Sequence, residues 1–258
     1  MKKQLHYFLT AVMFLTRIPV PNIINHSSDM LQKSARYFTW VGLLVGAIAA
    51  MSYWLLQFIF SPALAIAFSM VISILTTGAF HEDGFADVCD AFGGGWTKEK
   101  ILLIMKDSRL GTYGVVGIVC MLAVKFLLLL ELIANAAGIL QFVLMVIAAH
   151  AVSRLAGLTM MSQYHYVADL DTSKSKPVTT RKLTATELFI ACIGAAIPFF
   201  FLSPALLLAV LFVVPVRLYL GWYFHKWIGG YTGDCLGATQ QVSEIFFYIG
   251  CLIIWKFI

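Results

Sequence analysis

The sequence predicts an all-α fold: a polytopic, membrane-embedded helix bundle with about seven transmembrane helices and a short N-terminal interfacial or re-entrant helix. Three observations predict it. Of the 258 residues, 60% are hydrophobic and only 12% are charged, which is about half the charged fraction typical of soluble domains. Apolar runs long enough to cross a bilayer recur along the chain. The charged residues gather between these runs, so a soluble globular enzyme is excluded.

The first apolar run covers residues 5–15 and stops in the segment 14–21 (FLTRIPVP), where two prolines end a helix. At ~1.5 Å per residue, a run of this length covers only about half of a ~30 Å hydrocarbon core. It is therefore interpreted as an interfacial or re-entrant helix rather than a full span.

Seven longer runs follow, and each is predicted to be a transmembrane helix. No internal repeat and no soluble domain separates them, so the chain is predicted to be a single membrane-embedded domain over residues 1–258. The predicted spans are 38–60, 62–80, 113–134, 139–161, 187–203, 205–223 and 242–258.

The distribution of Lys and Arg predicts the orientation, because cytoplasmic loops collect basic residues. Basic residues lie near the N-terminus and in alternate connections, whereas the tight turns on the opposite side contain none. A cytoplasmic N-terminus follows. The same sorting places three long polar connections on the cytoplasmic side: 81–112, 162–186 and 224–241.

The strongest chemical signal is an acidic segment directly after the second predicted span. Six of the 13 acidic residues lie between positions 82 and 107. In a helix, Asp83, Asp87 and Asp90 would lie at i, i+4 and i+7, within about 60° of one another on one face. Such a face suits a hard divalent ion such as Mg²⁺, which takes oxygen ligands and retains substrate phosphates. The alternative is a solvated acidic face; His81 is a second candidate, for proton transfer.

Two further clusters lie on the same predicted side. In the segment 106–114, Arg109 offers a planar fork for a phosphate and Asp107 an acid, although basic residues here could simply anchor the next span. The segment 229–238 is rich in glycine, which permits close backbone approach to an anionic ligand, and its one acid is Asp234. Its candidate ligand-binding residues are Gly229, Gly230, Thr232 and Gly233.

Ionisable residues also occur inside the predicted spans, where such groups are functional candidates. His150 and Arg154, at i and i+4, share a helix face. For Arg154, contact with a ligand and structural pairing within the bundle both remain open. The other intramembrane ionisable residues are Lys125, Glu131 and Arg217.

Taken together, five ordered motifs resemble the adenosylcobinamide-GDP ribazoletransferase family, also called cobalamin synthase. The resemblance covers nearly the whole chain. The motifs are 14–21 (FLTRIPVP), 78–87 (GAFHEDGFAD) with Asp90, 106–112 (KDSRLGT), 151–154 (AVSR) and 229–238 (GGYTGDCLGA).

The resemblance implies an integral membrane enzyme of late vitamin B12 assembly, located in the cytoplasmic (inner) membrane of a prokaryote. Such an enzyme joins α-ribazole, or its 5′-phosphate, to adenosylcobinamide-GDP and releases GMP, with Mg²⁺ as cofactor. Expected partners are these small molecules and the lipid bilayer, with no nucleic acid.

Under this hypothesis the metal ligands are Asp83, Asp87 and Asp90, and the attacking group is the 5′-hydroxyl of ribazole. Asp107 or Asp234 either positions or deprotonates that hydroxyl or serves as a second metal ligand. The substrate phosphates would be contacted by Arg17, Arg109 and Arg154. Two other classes stay open. One is a membrane transferase of the aspartate-rich prenyltransferase type, and the other is a transporter, although transporters concentrate polar groups at the bilayer midplane.

Overall fold

The computed structural model describes residues 2–21, 27–167 and 182–257, so part of the connection 162–186 lies outside it. Within these ranges the chain is helical and has no strand; Tyr166 and Tyr231 form an isolated bridge. The predicted all-α class is confirmed. The helices are α1 (Lys2–Leu15), α2 (Ser28–Ser34), α3 (Phe38–Leu56), α4 (Pro62–Thr77), α5 (Phe80–Gly94), α6 (Lys98–Lys106), α7 (Thr112–Asn135), α8 (Ile139–Gln163), α9 (Ala185–Ala196), α10 (Val210–Ile228) and α11 (Gly233–Phe257).

In the described part of the chain, five helical segments are long and apolar enough to span a membrane, or six if one bent pair counts as a span. This confirms a polytopic bundle, with fewer spans than the seven expected. The predicted span 187–203 is a shorter apolar helix, Ala185–Phe200, whose last turn is a 3₁₀ helix containing Pro198. The five segments are Asp29–Leu56, Thr112–Asn135, Ile139–Gln163, Pro204–Ile228 and Gly233–Phe257.

The bent pair consists of α4 and α5, which meet at an angle of 89°. Gly78 ends α4 in the left-handed region, with φ 67°, and Ala79 follows it with φ 58°. The Ala79 N–H donates to the Ile74 carbonyl at 2.9 Å, which closes the end of α4. The bend separates the predicted span 62–80 from the acidic segment, and α5 runs across the bundle.

The core of the bundle is formed by α3, α8 and α11. Gly42 and Gly46 let α3 approach α8 closely: a Cβ at Gly42 would lie 2.5 Å from the His150 carbonyl oxygen. Small residues at a helix crossing are the usual means of close packing between transmembrane helices. By contrast, α7 and α10 expose apolar side chains such as Val116 and Leu211, as expected for surfaces that face lipid.

Candidate active site

Three polar connections of the described chain meet at one end of the bundle, which we call the polar end (residues 95–112, 164–167 and 229–233). The Tyr231 N–H donates to the His165 carbonyl at 3.0 Å, and the Val167 N–H donates to the Tyr231 carbonyl at 3.0 Å. Thr232 Oγ1 donates to Met105 Sδ at 3.6 Å. The segments that carry the sequence-predicted site residues are therefore neighbours in space.

At the polar end, α5 crosses the first turns of α11 at two glycines. A Cβ at Gly84 would lie 3.0 Å from Asp234 Cα, and a Cβ at Gly237 would lie 3.1 Å from the His81 carbonyl oxygen. Because neither glycine has a side chain, the two backbones approach closely. This crossing places Asp234 of α11 beside the turn of α5 that begins with Asp83.

The predicted aspartates lie on one helix but in different surroundings. Asp83 is exposed, Asp87 is half-buried and Asp90 is buried. Asp90 Oδ2 accepts the Gly111 N–H at 2.7 Å, and its Oδ1 accepts the Gly114 N–H at 2.8 Å. Both oxygens of Asp90 thus cap the N-terminus of α7, where the helix leaves backbone N–H groups without partners.

The different surroundings of the three aspartates bear on the predicted metal site. No group of three or more His, Cys, Asp or Glu side chains in the described ranges is arranged to hold a metal ion. Asp83 and Asp87 are one helical turn apart and reach solvent. Mg²⁺ is commonly bound by one or two carboxylates while substrate phosphates and water complete its shell. Asp83 and Asp87 therefore fit a Mg²⁺ ion in chemistry, provided that water and phosphate oxygens would complete its shell.

Asp107 and Arg109 form an ion pair in the loop after α6. Arg109 donates from NH2 to Asp107 Oδ2 at 2.7 Å, and from Nε to both carboxylate oxygens at 3.1 Å. The hydrogen bond to Asp107 raises the pKa of Arg109, and a guanidinium is charged at neutral pH in any case. The Arg109 side chain is 87% exposed. It is therefore accessible to a substrate phosphate, while Asp107 orients it.

Arg17 lies at the bend between α4 and α5. Its backbone N–H donates to the Thr76 carbonyl at 2.7 Å, and its side chain packs against Gly78. The side chain is exposed. The segment after α1 thus presents a cation at the beginning of α5.

The glycine-rich loop between α10 and α11 is fixed by its neighbours. Gly229 has φ 83°, and a Cβ at Gly230 would overlap the His165 carbonyl oxygen. Thr232 is buried, and its Oγ1 accepts the Cys235 N–H at 3.3 Å. Thr232 therefore caps the first turn of α11, which Gly233 begins. Of the four predicted ligand-binding residues in this loop, Gly229 is the exposed one.

His81 and Arg154 were predicted to act at the site, and both are buried inside the bundle. The ring of His81 packs edge-on against Phe80, with centroids 5.4 Å apart. Arg154 NH1 donates to the His150 carbonyl oxygen at 2.8 Å and lies 3.3 Å from His150 Nδ1. The pairing of His150 with Arg154 at i and i+4 is as the sequence suggested.

A buried polar network below the polar end links α5, α7 and α11. Lys125 Nζ lies 2.9 Å from Glu244 Oε1 and donates to Gln241 Oε1 at 3.2 Å. Gln241 Nε2 in turn donates to Glu82 Oε1 at 2.8 Å. Because Glu82 adjoins Asp83, the network holds the first turn of α5 in place. This network was not predicted from the sequence. A glutamine pair and a glutamate within the apolar helix α11 are the sequence feature that could have indicated it.

The chain matches the cobalamin-5-phosphate synthase family over residues 7–252. It belongs to this family. An adenosylcobinamide-GDP ribazoletransferase of Shewanella frigidimarina is 44% identical over 254 residues, covering 98% of this chain and 96% of the relative. Proteins of the same name from Shewanella halifaxensis and Vibrio parahaemolyticus are 45% and 38% identical and cover 98% and 99% of the chain, and 97% and 95% of the relatives. No solved structure matches the chain significantly.

The comparisons confirm the family that the five motifs indicated, and with it the prediction that the chain is an enzyme, a transferase of cobalamin biosynthesis. All five motifs fall within the matched residues 7–252 of the cobalamin-5-phosphate synthase family. Four of the five place a residue at the polar end or at the helix bend beside it: Arg17, Asp83, Arg109 and Gly229.

Proposed function

We propose that this chain transfers the cobinamide phosphate of adenosylcobinamide-GDP to α-ribazole, or to α-ribazole 5′-phosphate. The products are adenosylcobalamin, or its 5′-phosphate, and GMP. Membership of the cobalamin-5-phosphate synthase family and the names of the relatives support this reaction.

The observation that carries the proposal is the crossing of α5 and α11 at Gly84. It places Asp234 against α5, the helix that carries Asp83 and Asp87, and Asp90 of the same helix bonds to Gly111, close in sequence to Arg109. Carboxylates for a divalent ion beside exposed cations for phosphate are the parts that phosphoryl transfer requires.

Asp83 and Asp87 would hold Mg²⁺. When bound, the ion supplies charge neutralisation for the diphosphate and for departing GMP. Asp90 has a positioning role in this scheme, since its oxygens bind the Gly111 and Gly114 N–H groups and tie α5 to α7. We therefore assign Asp90 to positioning α5 and not to binding the metal as a third ligand.

Side chains of this protein would bind the phosphates and accept the proton from the attacking hydroxyl. Arg109 and Arg17 would bind the phosphates, since a guanidinium forms charge-assisted hydrogen bonds with them. Asp234 would accept the proton from a ribose hydroxyl of α-ribazole. That hydroxyl is not the 5′ one, because the 5′-phosphate of the phosphorylated acceptor stays in the product. Its oxygen bonds to the cobinamide-linked phosphorus as the bond from that phosphorus to the GMP oxygen breaks.

We place the polar end on the cytoplasmic side of the inner membrane. The support is the concentration of basic residues in the connections that meet there, as the positive-inside rule requires. Adenosylcobinamide-GDP carries a charged diphosphate, which is costly to place in the hydrocarbon core, so the polar end is where the substrates would enter.

The test uses the purified chain reconstituted in liposomes, with adenosylcobinamide-GDP, α-ribazole and Mg²⁺. We expect GMP and adenosylcobalamin to form in a 1:1 ratio, as this stoichiometry requires. An isoprenyl diphosphate offered to the same preparation should not react. Turnover of the isoprenyl diphosphate in place of adenosylcobinamide-GDP would overturn the proposal in favour of a prenyltransferase. Cobinamide uptake into liposomes without product would favour a transporter.

A further inference from the structure

A groove between α8 and α10 is lined by none of the residues proposed for the transfer reaction. Its volume is about 370 Å³, within the range of ligand-binding pockets. The walls are mainly aliphatic and the polar groups gather at one end. The lining side chains include Ala156, Val210, Val214 and Leu218 along the groove, with Gln163 and Arg217 at its polar end.

Arg217 is the one cation that lines this groove among the described residues, and only 7% of it is exposed. Its Nε donates to Thr159 Oγ1 at 2.8 Å, and NH1 donates to Gln163 Oε1. The Tyr164 ring lies 5.8 Å from the guanidinium carbon. In the described ranges no carboxylate lies within 4.0 Å of Arg217, so its neighbours there are neutral. A guanidinium has five N–H donors, so donors remain for an anion.

The position of Arg217 along the helices indicates its depth. Gln163 is the last residue of α8, so Arg217 lies level with the end of that span. Beyond it on α10, Tyr219 and Trp222 are exposed, and Lys226 Nζ lies 5.0 Å from the centre of the Trp222 ring. Exposed aromatic residues with a basic partner mark the membrane interface. Arg217 therefore lies at the boundary between headgroups and hydrocarbon, and the aliphatic walls extend into the hydrocarbon.

We propose that this groove binds one anionic phospholipid, with an acyl chain along the aliphatic walls and the phosphate on Arg217. A buried cation at membrane depth is costly unless it is paired. A lipid phosphate at the headgroup level supplies that pair through charge-assisted hydrogen bonds. A soluble phosphate would satisfy Arg217 but leave the aliphatic walls without a role, which is why we assign a lipid.

The test measures lipid binding and not transferase activity, so it is independent of the reaction proposed above. The full chain is delipidated in a neutral detergent and titrated with dioleoyl-phosphatidylglycerol or dioleoyl-phosphatidylcholine, and bound lipid is counted by native mass spectrometry. We expect one phosphatidylglycerol to bind in preference to phosphatidylcholine. In Arg217→Gln this preference should weaken about tenfold. Lys226→Gln, on the same helix but outside the groove, is the matched control and should retain it.

A second variant tests the groove independently, in case Arg217→Gln does not fold. Val214 is 47% exposed on the wall of the groove, so Val214→Trp fills the groove while leaving Arg217 intact. Phosphatidylglycerol binding should fall in this variant as well. The proposal is overturned by wild-type phosphatidylglycerol binding in either groove variant, by equal binding of the two lipids, or by equal loss in Lys226→Gln. Displacement of the lipid by millimolar inorganic phosphate would also overturn it, since the aliphatic walls would then contribute nothing.

Discussion

Replacement of Asp90 separates a structural aspartate from the aspartates proposed to bind metal. In Asp90→Asn, one of the two N–H groups of Gly111 and Gly114 loses its acceptor and the other loses a charged partner. Hydrogen bonds to a charged group contribute about 1.5–3 kcal/mol each, and a buried donor without a partner costs about 1–3 kcal/mol. We therefore expect a loss of about 2–3 kcal/mol in the free energy of unfolding.

For a chain of this size, 1 kcal/mol shifts Tm by about 2–4 °C, so Asp90→Asn should lower Tm by about 4–12 °C. The assay is thermal unfolding in detergent, followed by tryptophan fluorescence, with GMP release measured on the same preparation. Exposed Asp83 is the matched control: Asp83→Asn should keep Tm within about 2 °C yet lose turnover. A wild-type Tm in Asp90→Asn, combined with loss of Mg²⁺-dependent turnover, would refute the cap and make Asp90 a ligand.

Three further predictions concern the crossing, the network and the phosphate contact. Gly84→Ala should lower both Tm and turnover, because the new Cβ would lie 3.0 Å from Asp234 Cα; unchanged turnover would show that the crossing tolerates a wider spacing. Lys125→Met should reduce the unfolding free energy by about 3–5 kcal/mol, because it removes the cation that lies 2.9 Å from buried Glu244. Adding Glu244→Gln should recover part of this loss in denaturant titrations, and strict additivity of the two changes would speak against the pair. Arg109→Gln should raise KM for adenosylcobinamide-GDP about tenfold at constant Tm, since the side chain is 87% exposed; an unchanged KM would remove it from the phosphate site.

Local patterns predicted much of the fold, since long apolar runs identify helices without knowledge of their neighbours. The bend at Gly78 and Ala79 was missed because hydropathy does not register two left-handed residues inside an apolar run. The span predicted at 187–203 is a shorter helix in the structure for a related reason: apolar composition continues through Pro198, where the regular α-helix gives way to a 3₁₀ turn.

The sequence predicted the relative positions of site residues that lie on one helix. It did not predict contacts between residues on different helices. The spacing of Asp83 and Asp87 predicts that they lie one turn apart on a helix, and both residues lie within the helix α5. The partners of Asp90 are 21 and 24 residues away, and Glu82 bonds to Gln241 across 159 residues. Such contacts follow from the packing of helices, and no local spacing encodes them.

The central claim is that carboxylates of α5 hold a metal-bound diphosphate for transfer to α-ribazole. The most direct measurement is the rate of GMP release by Asp87→Asn in liposomes at saturating Mg²⁺ and adenosylcobinamide-GDP, with wild-type protein alongside. We expect the variant to insert and fold but to lose at least about 100-fold in turnover, since a metal ligand stabilises the transition state by several kcal/mol. Wild-type turnover in folded Asp87→Asn would contradict the account.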